Sequence, residues 1–482
     1  MTKWLVAAVA SASVAALADD CQVALDRNLT LRSRMPYSIE AEHGRMAAGE
    51  ARLAFMFPRP VGASCEDAGP PPLLRLKSPD SASGEFSARL VAGEEYRFSD
   101  ESVWATEAGG LFYGRKGPAT AHLDARVFSE LGGDPSRPSY DGESIDNQEK
   151  SVTGAVDYRS YARFRGDMNL DLPLGRLTVA RDAAQWGPGL YANGVFSEEA
   201  PPFYQYVYSA RIGPLSITSL YGDLEIDSDQ NSSANLAGRS LFAHRYELAL
   251  GNKWLLGISE ELILYDMAKP YLFAPIFPLF IAKSLLPEAN NNGNLAFDAT
   301  WRSPWNGLIY GEFLLDDLES PTSLFLKDYV QNKWAALAGA HFIKDIGTAR
   351  TGAIIEFSSV EPWVYSHFTP ATAQAANLGQ PLGNPYGPDS RTIVLKAYAR
   401  SPTGWYASLT SGLFWKGRGP GADLEQPTPP DPLQRKIRLE GESSPDFAIE
   451  PYVSYAWKCL ATSVDGRLGH GSRLRAAVRA FL

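Results

Sequence analysis

Past its first residues this chain has no apolar run long enough for a membrane helix. The best one, Tyr271 to Leu286, is broken by Pro275 and Pro278 and carries Lys283, so a membrane-spanning fold has to cross with strands. That run reads as a packed loop helix. Positive charge is also in short supply, with 45 Lys+Arg against 55 Asp+Glu and a formal net charge of -10. Phosphate binding needs a basic stripe and none is found, so nucleic acid is excluded as the main partner. The six histidines, His43, His122, His244, His341, His367 and His470, show no metal-ligand spacing. Neither a Gly-x-Ser-x-Gly elbow nor a phosphate-cradling loop is present. Adjacent carboxylates such as Asp316-Asp317 point to opposite faces of a strand. No catalytic residue, metal or cofactor is therefore expected, and the chain reads as a non-enzyme.

Residues 1–18 have the pattern of a secretory signal: Lys3, the apolar run Trp4 to Leu17, and the small-residue cleavage site Ala16-Leu17-Ala18. Ala18-Asp19-Asp20 before Cys21 is not the small apolar approach of a lipidated cysteine, so no lipid anchor is expected. Cysteine is rare. In an oxidising compartment Cys21 and Cys65 could bridge with Cys459 left over, or all three could stay thiols. Residues 19–84 read as a small periplasmic segment and linker. Ser38 to Ala54 could form one helix, but Pro36, Pro58, Pro60 and Pro70-Pro71-Pro72 prevent a long bundle.

Over residues 85–482 the pattern changes to short amphipathic strands. Ala119, Ala121, Leu123, Ala125 and Val127 alternate with Thr120, His122, Asp124 and Arg126; Leu295, Phe297, Ala299 and Trp301 with Asp298, Thr300 and Arg302; Ile393, Leu395, Ala397 and Ala399 with Lys396, Tyr398 and Arg400. A soluble sandwich alternates as well. Connection length separates the two folds. Short turns at Arg115–Pro118, Gly213-Pro214, Gly251–Lys253, Ser303–Gly307, Asp345–Thr348 and Ser401–Thr403 alternate with long polar segments at Glu130–Ser151, Asp182–Tyr204, Asp227–Arg239, Met267–Asn294, Asp316–Asn332, Ser359–Arg391 and Lys416–Leu433. Short periplasmic turns and long outer loops are the habit of outer-membrane barrels. The fold expected is all-β, a transmembrane antiparallel β-barrel of about 18 strands in the outer membrane of a Gram-negative-type envelope.

Trp405 and Trp415 share a parity and bracket Ala407, Leu409 and Leu413; ten residues at about 3.3 Å, tilted near 40°, rise about 25 Å, the height of a lipid-facing band. Leu474, Ala476, Val478, Ala480 and Leu482 alternate with Arg473, Arg475 and Arg479 as a closing strand. With apolar faces in lipid, the lumen receives Asp124, Arg126, Asp157, Arg159, Arg163, Glu247, Asp298, Arg302, Glu312, Lys396, Arg438 and Glu440. Charge pairs filling the barrel and a selective solute pore are both compatible with that set.

The strand through Leu177 and Val179 ends at Trp186-Gly187-Pro188-Gly189, where proline and glycine stop a ladder. Aromatics cluster in this loop and later ones: Trp186, Tyr191, Phe203 and Tyr204, then Trp363, Tyr365, His367 and Phe368, with Tyr386, Asp389 and Arg391 closing. Rings stack on sugars while carboxylates and arginines bind hydroxyls, although rings also pack loops together or join a girdle. Arg181, Trp186, Tyr191, Trp363, Tyr365, His367, Asp389 and Arg391 are the candidate polysaccharide contacts.

The same residues carry a family resemblance. Leu174-Gly175-Arg176 leading into Trp186-Gly187-Pro188-Gly189, Tyr310-Gly311-Glu312 with Asp316-Asp317, Asn332-Lys333, Glu356, Glu361-Pro362-Trp363-Val364-Tyr365-Ser366-His367, Leu382-Gly383 and Gly387-Pro388-Asp389-Ser390 follow the order of motifs in the Wzi family of outer-membrane capsule assembly proteins. The chain resembles that family over about residues 100 to 400. The resemblance implies an eighteen-stranded barrel and a lectin-like role in which outer loops hold capsular or other extracellular polysaccharide at the cell surface. Outer-membrane lipids and other capsule export components are the further partners it implies. The family's helical bundle at the periplasmic end is not matched by residues 19–84. A porin-like solute or ion channel is the alternative function.

Overall fold

The computed structural model describes Met46 and residues 74–77, 84–98, 102–132, 149–153, 156–225, 238–265, 269–276, 278–286, 291–317, 328–368, 373–431, 433–441, 445–457, 460–469 and 473–481. The expected export signal, most of segment 19–84, and Cys21, Cys65 and Cys459 lie outside the described residues.

A short strand β1 (Leu74–Lys77) pairs antiparallel with the beginning of β2 (Glu85–Phe98). Then come β3 (Val103–Lys116), β4 (Ala119–Leu131), the short β5 (Glu149–Thr153), β6 (Val156–Leu172), β7 (Gly175–Asp182) and β8 (Phe203–Ile212). β9 (Leu215–Leu224), β10 (Arg239–Leu250), β11 (Trp254–Tyr265), β12 (Asn291–Ser303), β13 (Gly307–Asp317), β14 (Lys333–Ile346) and β15 (Ala349–Val360) continue the wall. The two-residue strands β16 (Ala376–Asn377) and β17 (Gln380–Pro381) pair with each other inside a loop. β18 (Ser390–Arg400), β19 (Trp405–Lys416), β20 (Asp446–Trp457), β21 (Leu460–Gly469) and β22 (Arg473–Phe481) finish the chain.

Eighteen of these strands form one closed antiparallel barrel, sealed where β2 pairs with β22, Val91 opposite Phe481 and Phe98 opposite Leu474. Closure leaves no ladder edge for lipid to solvate. The alternation read from sequence is the in–out alternation of the wall. On β4, Val127 is 54 % exposed outward while His122, Asp124, Arg126 and Phe128 are buried inward. Trp254 stacks on Trp301 with ring centroids 5.9 Å apart, and Trp405 lies 4.5 Å from Tyr455, all at the short-turn end. Phe313 and Trp334 stack at 5.8 Å near the long-loop end. These rings are the two girdles.

The interior charges meet each other. Arg126 donates to both oxygens of Asp124 at 2.7 and 2.8 Å, and Arg163 and Glu107 lie 3.5 Å from this pair. Arg479 pairs with Glu107 across the closing seam. On the opposite wall Arg245 bridges Asp298 at 2.7 and 3.1 Å, Glu247 at 3.0 Å and Ser259 at 2.8 Å. Arg438 and Glu440 correct the sequence reading. They lie in the loop between β19 and β20, not on an inward strand face, because that loop continues past Leu433 to the start of β20 at Asp446. Met46, from segment 19–84, packs inside the barrel against Leu255, Leu308 and Ile343, and its carbonyl accepts from Arg302 Nε at 2.7 Å.

Replacing Arg126 by methionine is expected to destabilise the barrel by about 3 kcal/mol, since Asp124 loses its two-fold hydrogen-bonded partner and keeps only the more distant Arg163. A second change, Asp124→Leu, is expected to restore part of that loss. Urea unfolding of the refolded barrel in detergent measures both.

Candidate functional site

The loop between β7 and β8 turns inward. From Ala183 to Phe203 nearly every residue is buried, and Trp186 pairs with Phe196 through the backbone (3.2 Å) and ring edge to face at 4.9 Å. Gly187 takes φ 108°, and a Cβ there would stand 2.8 Å from Asn193 Oδ1 and 2.9 Å from Glu312 Oε2; only glycine fits a left-handed turn this close to a carboxylate. Asn193 closes the turn on itself, accepting from Gly189 N at 2.7 Å and donating to Gly189 O at 3.1 Å.

Barrel carboxylates hold this loop. Glu356 accepts the N–H groups of Leu190 and Tyr191, both at 2.8 Å, and the Tyr310 hydroxyl at 2.9 Å. Glu312 accepts Gly194 N at 2.8 Å. The Tyr365 hydroxyl donates to Gly194 O at 2.8 Å and accepts from Asn384 N at 3.0 Å. A small cavity of about 10 Å³, the size of a single water site, remains beside Ala192–Gly194, Glu312, Ala335–Leu337 and Asn384. Above it the wall's inner face becomes apolar: Leu220, Leu241, Ile263 and Leu314 pack with Trp186, Val195, Phe196, Val364 and Leu382. That core burial is what draws the loop inside.

The loop between β15 and β18 packs on top. Trp363 and Tyr365 both have left-handed backbones, φ 62° and 70°, a conformation that costs on the order of 1–3 kcal/mol per residue and persists only when the surroundings enforce it. Asp316 accepts Tyr365 N at 2.6 Å. Lys333 donates to Ser366 O at 3.3 Å while pairing with Asp316 at 3.3 Å and Asp317 at 2.9 Å. Asn377 joins three loops, donating to Pro201 O at 3.2 Å and accepting from Glu225 N at 2.8 Å.

A third layer is the loop between β19 and β20. Gly421 lies under the Trp363 ring and accepts Trp363 N at 2.8 Å; Thr428 N donates to His367 O at 3.2 Å. Lys436 pairs with Glu361 at 2.8 Å, Arg438 joins Glu361 to Asp328, and Leu439 N donates to Asp389 Oδ1 at 2.8 Å. Burial pushes the Asp389 carboxyl above its ordinary range, with the Leu439 hydrogen bond opposing. Burial likewise lowers the Lys436 ammonium, with Glu361 opposing.

The structure thus brings six of the eight sequence candidates into one buried body: Trp186, Tyr191, Trp363, Tyr365, His367 and Asp389 are all at most 6 % exposed. The other two lie on the outer wall. Arg181 places its guanidinium 5.7 Å from the Tyr204 ring centre and donates to Phe164 O at 2.6 Å, and Arg391 is exposed opposite Trp415. What the sequence reading missed is that Glu312, read there as a lumen charge, and Asp316, Lys333 and Glu356 hold the loops of the mouth. It also missed the covering loop, whose Gly419-Pro420-Gly421 and Lys436-x-Arg438 were its available signals. The exposed outer surface falls instead to Phe368, Arg418, Asp423, Asp431, Arg435 and Ile437.

No protein-family model matches this chain, and no curated protein matches it by sequence. Among solved structures, Wzi of Escherichia coli, described as an outer membrane protein involved in group 1 capsule assembly and a carbohydrate-binding β-barrel, gives a TM-score of 0.53 at 13% identity, covering 81% of this chain and 83% of that one. OccK2 (OpdF) of Pseudomonas aeruginosa, solved with glucuronate, gives 0.44 at 12% identity over 82% and 96% of the two chains. OccAB3 of Acinetobacter baumannii gives 0.42 at 10% identity over 82% and 99%. At such identities the likeness is one of fold, that of an outer-membrane barrel.

Replacing Glu356 by leucine strands two loop N–H groups and the Tyr310 hydroxyl. Limited proteolysis within 183–202 is expected to speed up at least tenfold, with the barrel fragment intact. Asp389 supplies a pH dependence. Its raised folded value means the closed state binds more protons than the open one, so the cost of its charge is full above that value. The cost disappears as pH falls through it to the ordinary 3.8. Protection of the β19–β20 loop from protease is therefore expected to rise over that interval on acidification. Asp389→Asn should flatten the profile.

Proposed function

We propose that this outer-membrane barrel binds capsular or other extracellular polysaccharide at its loop-covered mouth and helps attach or assemble it at the cell surface, without turnover. The observation that carries this reading is the loop 183–202 fixed inside the lumen by Glu312 and Glu356 and covered by two further loops. A solute pore works through a water-filled passage, whereas a mouth packed with an apolar core and roofed by ion-paired loops is built as a surface. Rigid support of that kind favours binding, because little order has to be gained when a ligand arrives.

Two further points support it. The motif residues that resemble the Wzi family, Glu312, Asp316, Lys333, Glu356, Glu361, Trp363 and Asp389, all belong to the network that shapes the mouth. A barrel described as carbohydrate-binding also shares the fold. In this reading the six buried candidates frame the site. The exposed rim around Phe368, Arg418 and Arg435 meets the glycan, with other capsule export components and outer-membrane lipids as neighbours.

A second reading, a solute or ion channel, is favoured by one observation. Arg126, Arg163, Arg475 and Arg479 face the interior on β4, β6 and β22, a set of lumenal cations of the kind that lines an anion-selective pore. Planar-bilayer recording separates the two. Wild-type conductance is expected to be below about one tenth of that of a variant lacking residues 184–200, and glycan-array binding by the refolded wild type is expected to be positive. Steady wild-type current equal to the deletion variant's, with no glycan retained, would establish the channel instead.

A further inference from the structure

The connection between β11 and β12 belongs by length with the extracellular loops, but its described part does not lie over the mouth. A 3-10 turn at Pro270–Phe273 and the short helix α1 (Leu279–Lys283) rest on the outside of the wall. Leu272, Phe273, Leu279, Ala282 and Leu286 pack on the outward side chains Tyr221, Phe242, Leu262 and Leu264 of β9, β10 and β11. The contact extends down the wall. Phe280 N donates to Glu260 at 3.0 Å, and the Tyr246 hydroxyl donates to Pro275 O at 2.8 Å. Both are outward-facing residues, in register with the lipid-facing Leu295 and Ile258.

Height makes this placement informative. Trp254 opens β11 within the short-turn girdle, and a strand tilted near 40° climbs roughly 2.5 Å per residue through a belt about 25 Å tall. Glu260 then stands about 15 Å up, inside that belt. It does not stand alone there. His244 pairs in register with both Glu260 and Ser219, so three polar side chains on adjacent strands form a row across the lipid side of the wall. Ser219 and His244 are 1 % and 0 % exposed, next to the outward residues Tyr221, Phe242 and Leu262 on which the segment packs, and the backbone at Leu272 and Phe273 lies against His244. The opposite side of the segment presents Ile276, Phe280, Ile281 and Leu285, between 57 % and 80 % exposed. Of its two cations, Lys269 caps the 3-10 turn at the start of the segment, and Lys283 is turned back to Asp317 and Gly293 O at the rim.

We infer that residues 269–286 form an intramembrane strap whose exposed apolar side is covered by the acyl chains of the outer leaflet, and which seals the Ser219–His244–Glu260 row from them. Irregular backbone is tolerated at that depth only when its polar groups are satisfied. Here the carbonyls of Lys269, Tyr271 and Pro278 take N–H groups of the segment itself, and Pro275 O takes Tyr246. The exposed apolar side continues the lipid-facing surface formed below it by Leu256, Ile258 and Phe297, which argues for lipid as its occupant over a second copy or a soluble partner.

The test uses the full chain with Cys21, Cys65 and Cys459 replaced by serine and one bimane-labelled cysteine introduced as Ile276→Cys or Ile281→Cys. Ile437→Cys on the exposed mouth loop serves as reference. In phosphatidylcholine vesicles, acyl-brominated lipid is expected to quench the two strap labels at least fivefold more than the reference, with aqueous iodide showing the reverse order. Strap labels quenched by iodide as strongly as the reference would overturn the inference in favour of an aqueous loop. Labels shielded from both quenchers, with Ile281→Cys forming a disulfide-linked dimer, would overturn it in favour of a second copy. Should the labels disturb the segment, a second arm applies. Ser219→Ala/His244→Leu/Glu260→Leu in a chain with 270–285 replaced by a short polar turn is expected to recover most of the barrel yield lost by the replacement alone. No recovery would deny the sealing role.

Discussion

Two carboxylates inside the barrel, Glu356 and Glu312, receive backbone N–H groups from a loop that in an ordinary barrel stands in water. Each side of this interaction needs the other. A buried carboxylate is strongly disfavoured unless hydrogen bonds replace its water, and a loop carried into a lumen leaves N–H groups that no ladder satisfies. Joined, they offset part of both costs through hydrogen bonds from the backbone to the carboxyl oxygens. The Trp186–Phe203 loop can then add its apolar side chains to a core that the wall's inner face has prepared.

From that contact the mouth is built outward in layers. Tyr365 reaches down to Gly194 while its own N–H is held by Asp316, so the strained Trp363–Tyr365 turn is fixed from below. Glu361 then fixes the covering loop from above through Lys436 and Arg438. Single surface ion pairs add little to stability. The Lys436–Glu361 pair is buried, and with Arg438 it ties three loops together, so the effect is to set one arrangement of the mouth. On the outer wall the polar row Ser219, His244 and Glu260 lies on the strands that the 269–286 segment covers.

How far the chain was legible follows from the range of each physical signal. Alternation on β4, β12 and β18 is local, because it reports which side of a pleat meets hydrocarbon, and it reads correctly residue by residue. Turn length is local too, so strand number and closure were within reach. The candidate site was legible as a set of residues but not as an arrangement. Trp186, Trp363 and His367 are loop aromatics by any local rule, and nothing within a few positions of them says that they turn inward. Their burial depends on Glu312, Glu356 and Gly421, which lie tens to hundreds of residues away.

By itself, then, the sequence determined an all-β wall of about eighteen strands with apolar residues outward and long connections at one end, since these follow from periods of two and from turn chemistry between near neighbours. Only the tertiary structure decided that one long connection fills the lumen, that another roofs it, and that a third lies against the outside of the wall. Those outcomes rest on hydrogen bonds and apolar contacts between segments far apart in the chain, and such contacts exist only once the barrel has closed and brought its strands into register.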